Sequence, residues 1–332
     1  MSVLRVVGRW ILRFLIAVLA LIVAVVIWAQ FSPRPSVIAI DLLFRMSSVG
    51  KVDEKHAAEA DKESTGRTDL AYGEGDDETL DVWTPRERGS EPLPVIVWVH
   101  GGGWIGGDKS DIAPYLKLLA AKGYAAVGID YSLGPDTHYP VPLRQTDKAI
   151  VWLEKNADDL GLDTDRIVLA GDSAGAQIAA QYVAMLGDAR YAKEVGVEPS
   201  ISPDQVVGAL LHSGPYDPRK ALKASGAMGW FVRTVGWAYL GTKDFDDPRV
   251  EQATVTTHLT DGFPSTLVTA GDDDPLTAQG KEFAATLKKL GVEVKPYWAK
   301  GLFHEFQFDL SDAQAQQVLT ESYSFLAKVT AP

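Results

Sequence analysis

The sequence predicts an α/β fold built on a mostly parallel central sheet with helices on both faces. Runs of β-branched and other apolar residues, such as VIVWV (95–99) and RIVLAG (166–171), are too continuous for strands with one wet face and read as strands buried on both sides. Between them apolar residues recur three and four apart, the spacing of helices that lie on such a sheet. Two of the strands run straight into glycine-rich turns, HGGGWIGG and GDSAG, and in open sheets of this class sites form at the carboxyl ends of strands.

Taken in order, the first 33 residues stand apart. Arg5, Arg9 and Arg13 precede an apolar run at 14–29, and no charge appears before Arg34; with Trp10 to Leu12 the run approaches the ~20 residues that span a bilayer. Residues 1–33 therefore read as a membrane anchor. The alternative is a cleaved signal peptide that leaves a secreted domain, disfavoured because Ile27 before Ala29 breaks the small-x-small cleavage pattern. Arginines ahead of the apolar run place the N-terminus in the cytoplasm and the rest of the chain on the outer, extracytoplasmic side. Residues 34–66 read as a tether or polar helix: an amphipathic stretch at 37–44, then a charged one that includes Lys51, Asp53, Glu54, Lys55 and Glu63. Residues 67–332 form the main domain.

Within that domain, strand 95–99 leads through glycines to a helix near Asp111, with Ile112, Tyr115, Leu116 and Leu119 on one face and Gly123 as its stop. AAVGIDY (125–131) is the next strand. A helix carrying Ile150, Leu153, Ala157 and Leu160 follows, then strand 166–172 and a helix with Ile178, Tyr182 and Leu186 four residues apart. Strands at 206–214, 265–271 and 292–298 and helices at about 277–290 and 312–327 complete the alternation. It is interrupted at about 216–260, where the aromatic-rich GAMGWFVRTVGWAYLG (226–241) reads as a small helical cap, with residues 35–46 a candidate contributor.

Composition excludes some functions. A net charge of -12 repels nucleic acid. With no cysteine among 332 residues, there is no thiol nucleophile, disulfide framework or cysteine-ligated metal, and no cofactor or metal is expected. Any nucleophile is a hydroxyl.

The glycines after strand 95–99 admit three readings. Gly101, Gly103 and Gly106 fit G-x-G-x-x-G, with Asp130 placed as a ribose ligand of a dinucleotide. A phosphate-binding loop fails, because Asp108 precedes Lys109 where glycine is required. The third reading is an oxyanion hole, which requires a nucleophile later in the chain. Gly171-Asp172-Ser173-Ala174-Gly175 supplies one, as G-x-S-x-G between a strand and a helix, where residues without a Cβ relieve a sharp turn and leave Ser173 exposed. A serine needs a base, and the base an acceptor. Of the three histidines after Ser173, His212 lies within a strand and His258 in a polar stretch. His304 lies between the last strand and the last helix and is the expected base. Asp272, Asp273 and Asp274 follow a strand end; Asp274, fixed by Pro275, is the expected acid, with Asp273 the alternative.

HGGGW, YSLGPDTHYP, GDSAG and DPL ahead of His304, in that order, resemble the α/β-hydrolase superfamily, specifically the hormone-sensitive-lipase-like bacterial carboxylesterases, over residues 68–328. The resemblance implies oxyanion donors at the N–H groups of Gly102, Gly103 and Ala174, an ester substrate and no cofactor. Two positions depart from the family: Glu305 stands where glycine usually follows the histidine, and Ser132 and Gly134 replace residues of a tyrosine-arginine-leucine-alanine-proline segment. Only this reading uses Ser173, Asp274 and His304 together; His100 then becomes a structural hydrogen-bonding residue of the loop. Short- to medium-chain esters are the expected substrates, with Trp104, Trp230 and Phe231 as candidate pocket residues. An amidase or peptidase on the same residues, and an inactive membrane-anchored binding module, are the alternatives.

Overall fold

The computed structural model describes residues 2–46, 52–221, 223 and 225–331. Lys51, within the predicted tether, and residues 222 and 224, within the predicted cap, lie outside the described residues. The principal elements are α1 (Ser2–Phe31), α2 (Arg34–Met46), α3 (Glu54–Glu63), β1 (Ser64–Ala71), β2 (Thr79–Pro85), β3 (Leu93–Val99), α4 (Lys109–Ala120), β4 (Ala125–Ile129), α5 (Val141–Lys155), β5 (Leu162–Asp172), α6 (Ser173–Leu186), β6 (Val206–His212), α7 (Gly226–Leu240), β7 (Thr266–Gly271), α8 (Thr277–Lys289), β8 (Val294–Ala299) and α9 (Ala313–Val329).

The strands form one sheet in the order β1-β2-β4-β3-β5-β6-β7-β8. It is parallel from β4 to β8, while β1 and β2 add an antiparallel edge. Period-two alternation divides β3 between two cores. Val95, Val97 and Val99 face one, with Ile150 of α5, Ile178 and Tyr182 of α6 and Phe283 of α8. Ile96 and Trp98 face the other, with Leu116 of α4 and Val318 and Phe325 of α9. A strand buried on both faces has no place for a polar residue, which is why its sequence is a continuous apolar run.

Two elements differ from expectation. The polar strand β1 (STGRTDLA) has no apolar face to advertise it. It is held by pairing with β2 and by buried Lys109, whose Nζ reaches Asp69 at 2.7 Å and Asp81 and Asp130 at 3.4 Å each. The helix expected to run from Ile150 to Leu160 breaks at Asn156, and Leu160 belongs to a separate turn at Ala157–Leu160. The stretch 34–66, expected as a tether or a polar helix, is helical over most of its described residues. It contains two helices that dock on the domain: α2 buries Val37 and Ile40, while α3 lies against α4 and bonds it through Lys117 Nζ and Asp61 at 2.6 Å.

Candidate active site

β5 and α6 meet at Ser173, with no loop between them. The turn is tight enough that a Cβ on Gly171 would stand 2.6 Å from the Gly175 carbonyl carbon, and one on Gly175 only 2.0 Å from the Val99 oxygen. Both distances are shorter than real contacts allow, so these positions require glycine. Ser173 itself takes φ 49°, the left-handed region that a side chain occupies under strain.

That strain turns the hydroxyl toward the loop after β8. Ser173 Oγ lies 2.8 Å from His304 Nε2, and His304 Nδ1 lies 2.8 Å from Asp274 Oδ2. Asp274 is buried and its other oxygen accepts from the Leu276 N–H at 2.8 Å, whereas Asp272 and Asp273 face solvent. The structure thus brings together Ser173, His304 and Asp274, and Asp273 points elsewhere. Three residues that are 131 and 30 positions apart along the chain meet because β5, β7 and β8 end at the same edge of the sheet.

The HGGGW turn after β3 lies beside them. Gly102 (φ 104°) and Gly103 (φ 61°) are left-handed, and a Cβ on Gly102 would sit 2.1 Å from the Gly106 oxygen. Among the described residues neither glycine's N–H donates a hydrogen bond. Ala174 stands in the first turn of α6, where N–H groups have no partner within the helix. Gly103 and Ala174 line a cavity of about 960 Å³ that also contains Ser173 and His304; Gly102 is not part of its lining. Most of the remaining wall is apolar, including Trp104, Phe231, Val235 and Tyr239. Among the described residues no cluster of histidine and carboxylate side chains could hold a metal ion.

Residues 96–308 match a protein family described as having the alpha/beta hydrolase fold. The chain belongs to that family. Its relatives include the esterase LipC of Mycobacterium tuberculosis, 34% identical over 153 residues, which cover 46% of this chain and 37% of LipC. An esterase of Fusarium pseudograminearum is 26% identical over 76% of this chain and 77% of its own. The carboxylesterase NlhH of M. tuberculosis is 30% identical over 64% of this chain and 66% of its own. The chain therefore spans about a third of LipC and roughly two thirds or more of the other two. Among solved structures, esterase B from Lactobacillus rhamnosis superposes with a TM-score of 0.71 at 22% identity, covering 91% of this chain and 93% of that one. A Pyrobaculum calidifontis esterase gives 0.68 at 22% identity, covering 89% and 94%. Both share the fold.

In this α/β hydrolase Glu305, which stands where the resemblance leads one to expect glycine, takes φ 57°, a backbone that glycine adopts freely. Its carboxylate has found partners. Glu305 Oε1 stands 3.7 Å from His304 Nε2, and it crowds Gly101 together with Asp172: a Cβ there would lie 2.8 Å from Glu305 Oε1 and 2.2 Å from Asp172 Oδ2, while the Asp172 oxygens accept from Trp98 Nε1 at 2.7 Å and the Gly101 N–H at 2.9 Å. Burial and the facing Glu305 carboxylate push Asp172 well above the usual carboxylate range. Burial by itself lowers the His304 imidazole; the Asp274 hydrogen bond and the charges of Glu305, Asp274 and Asp172 outweigh it and raise the group to about 9. The sequence showed Glu305 as a departure but held no signal that it meets Asp172.

Other predicted residues sort by position. His100 is buried, stacked on Tyr131 at 4.4 Å and bonded to the Gly101 oxygen at 2.7 Å, and its burial lowers its pKa. Asp130, the ribose ligand of the dinucleotide reading, is occupied by the Lys109 N–H at 2.8 Å and the Thr79 hydroxyl at 3.1 Å. His212 is buried, bonds Thr269 at 2.6 Å and is pushed down to about 3 by burial. Trp230 needs correcting: it does not line the cavity. On α7 the lining residues Met228, Phe231, Val232, Val235 and Tyr239 follow helical spacing, and Trp230 falls off that stripe toward solvent. Asp41 and Phe44 of α2 also reach the cavity, with Phe44 edge-on to Phe231 at 6.0 Å.

Proposed function

We propose that the chain hydrolyses carboxylic esters of short to medium acyl length through Ser173, His304 and Asp274. The observation that carries the proposal is the pair of 2.8 Å contacts linking these three side chains, with Ser173 and His304 in the lining of an apolar cavity and Asp274 buried behind them. His304 Nε2 takes the Ser173 proton as Oγ bonds to the ester carbonyl carbon, and the carbonyl π electrons move onto its oxygen. The N–H groups of Gly102, Gly103 and Ala174 are the donors for that oxyanion. Collapse breaks the carbon–oxygen bond to the alcohol, which leaves with the proton held by His304. Water then repeats the sequence on the acyl-serine and frees the acid. Asp274, buried and bonded to Nδ1, holds the tautomer that leaves Nε2 free to accept, and stabilises the imidazolium.

Membrane attachment is part of the same proposal. Among the described residues one helix, Arg5–Phe31, is long and apolar enough to cross a bilayer, and none of it is buried in the domain. The proposal places its N-terminus in the cytoplasm and the catalytic domain outside. Replacing Ser173 with Ala should abolish turnover of p-nitrophenyl acetate and labelling by a fluorophosphonate, with the melting transition retained. Undiminished turnover rejects the nucleophile. Protease added to intact spheroplasts should cut beyond residue 60; protection there reverses the orientation.

A further inference from the structure

Among the described residues outside α1, the exposed large apolar side chains are not scattered. They lie on α2, on α7 and the loop after it, and at Phe303 beside His304; Leu290 alone lies away from them. Three of them, Phe44, Met228 and Phe303, also line the cavity. The rim of the cavity is therefore apolar at Phe44, Met228 and Phe303, while Asp108, Asp111 and Lys220 are its exposed polar part.

α2 shows how this surface is made. Val37, Ile40 and Phe44 recur at helical spacing on the side packed against α7 and the cavity. The opposite side of a water-facing helix should be polar. Here it carries Ile38, Leu42 and Leu43, which are 65%, 58% and 64% exposed. Only Ser32 and Pro33 separate this helix from α1, so its free apolar side continues the surface of the segment that spans the bilayer. The junction is fastened to the domain on both sides: Lys243, above α7, bonds the Gln30 carbonyl and lies over the Trp237 ring, and Arg34 pairs with Asp136.

We infer that the outer side of α2, with the exposed part of α7, rests in the headgroup and upper acyl layer of the bilayer that α1 crosses, and that the cavity opens toward it. The substrate class is then an amphiphilic acyl ester already dissolved in lipid, entering past Phe44, Met228 and Phe303 without crossing water. α1 accounts for why the occupant is lipid: a helix ending at Phe31 delivers α2 to the interface, where a helix apolar on both sides is stable and in water is not. The inference rests on the anchor and ester-hydrolase readings above and adds what faces the site.

The chain has no cysteine, so single labelling sites are clean. The test uses the full chain in phosphatidylcholine vesicles, with an NBD fluorophore on Leu42→Cys, on Leu19→Cys within α1, and on Lys288→Cys at the far end of α8. Lipids carrying a nitroxide high on the acyl chain should quench the probe at 42 severalfold more than the probe at 288. A probe at 42 quenched no more than that at 288, while the probe at 19 is quenched, overturns the inference and leaves the anchor standing. No quenching at 19 removes the anchor and the inference with it. In parallel, kcat/KM for a long-chain ester carried in the vesicles is divided by kcat/KM for p-nitrophenyl acetate. The variant Ile38→Ser/Leu42→Ser/Leu43→Ser should lower that ratio about tenfold, because it removes the apolar area that seats the rim in lipid. An unchanged ratio refutes delivery from the bilayer, and absence of turnover on either ester in the unmodified chain refutes the hydrolase reading itself.

Discussion

Glu305→Gln tests how the site sets the proton affinity of its base. The Glu305 carboxylate oxygen is 3.7 Å from His304 Nε2, and at that separation a unit charge is worth about 1 kcal/mol at the dielectric of water and about 4.5 kcal/mol at an effective value near 20. At roughly 1.4 kcal/mol per pKa unit, those limits are about 0.8 and 3 units. Part of the effect is returned, because Asp172 no longer faces the Glu305 carboxylate and ionises more readily. Negative charge gained at Asp172 offsets part of the loss, although Asp172 contributes less to His304 than Glu305 does. The expected shift is therefore near the lower limit, about one unit down from about 9. The sign follows from the mechanism: the base acts when neutral, so activity falls as pH drops through its pKa, and lowering that pKa extends activity downward. The assay is kcat/KM for p-nitrophenyl acetate between about pH 6 and 10, which reports the free enzyme. Its acid limb should move down by about one unit, with about tenfold more activity near pH 7 and an unchanged plateau. Glu305→Gln with Asp172→Asn should move it further, since the charge then has no carboxylate to occupy. A limb that stays in place, or a profile that falls evenly at every pH, refutes the electrostatic argument.

Three further outcomes follow from the geometry. Asp274→Asn should lower kcat by about 10⁴, through loss of the productive tautomer, while Asp273→Asn, whose side chain faces solvent, should leave it near normal; steady-state rates of the two variants decide between the carboxylates. Gly103→Ala has room, since its Cβ would first meet Val235 at 3.4 Å, but φ 61° disfavours a side chain there; displacing that N–H should lower kcat by ~10² or more with little change in KM. Gly175→Ala would drive a Cβ to 2.0 Å from the Val99 oxygen, and should destabilise the fold by at least about 3 kcal/mol, read from denaturant midpoints.

The alternation of β3, β4, β5, β6, β7 and β8 with amphipathic helices was legible in the sequence because burial on both faces leaves a continuous apolar run, a signal that survives without coordinates. So was the G-x-S-x-G turn, whose glycines answer a local steric demand within five residues. β1 was not legible: it is polar, lies at the sheet edge, and is held by Lys109 from forty residues further along. Residues 35–46 were legible as a candidate part of the cap, but not which side of α2 docks, because its apolar residues occupy both sides of the helix.

By itself the sequence determined which side chains were available, a serine in a constrained turn, one histidine in the right order and a run of three aspartates, because these depend on residue type and spacing. Only the tertiary structure decided which aspartate meets the histidine, that Glu305 and Asp172 stand together beside it, and that Trp230 turns away from the cavity while Phe44 of α2 enters it. Those outcomes depend on where strand ends converge and on which side of a helix is covered. Local spacing constrains neither; the packing of distant segments sets both.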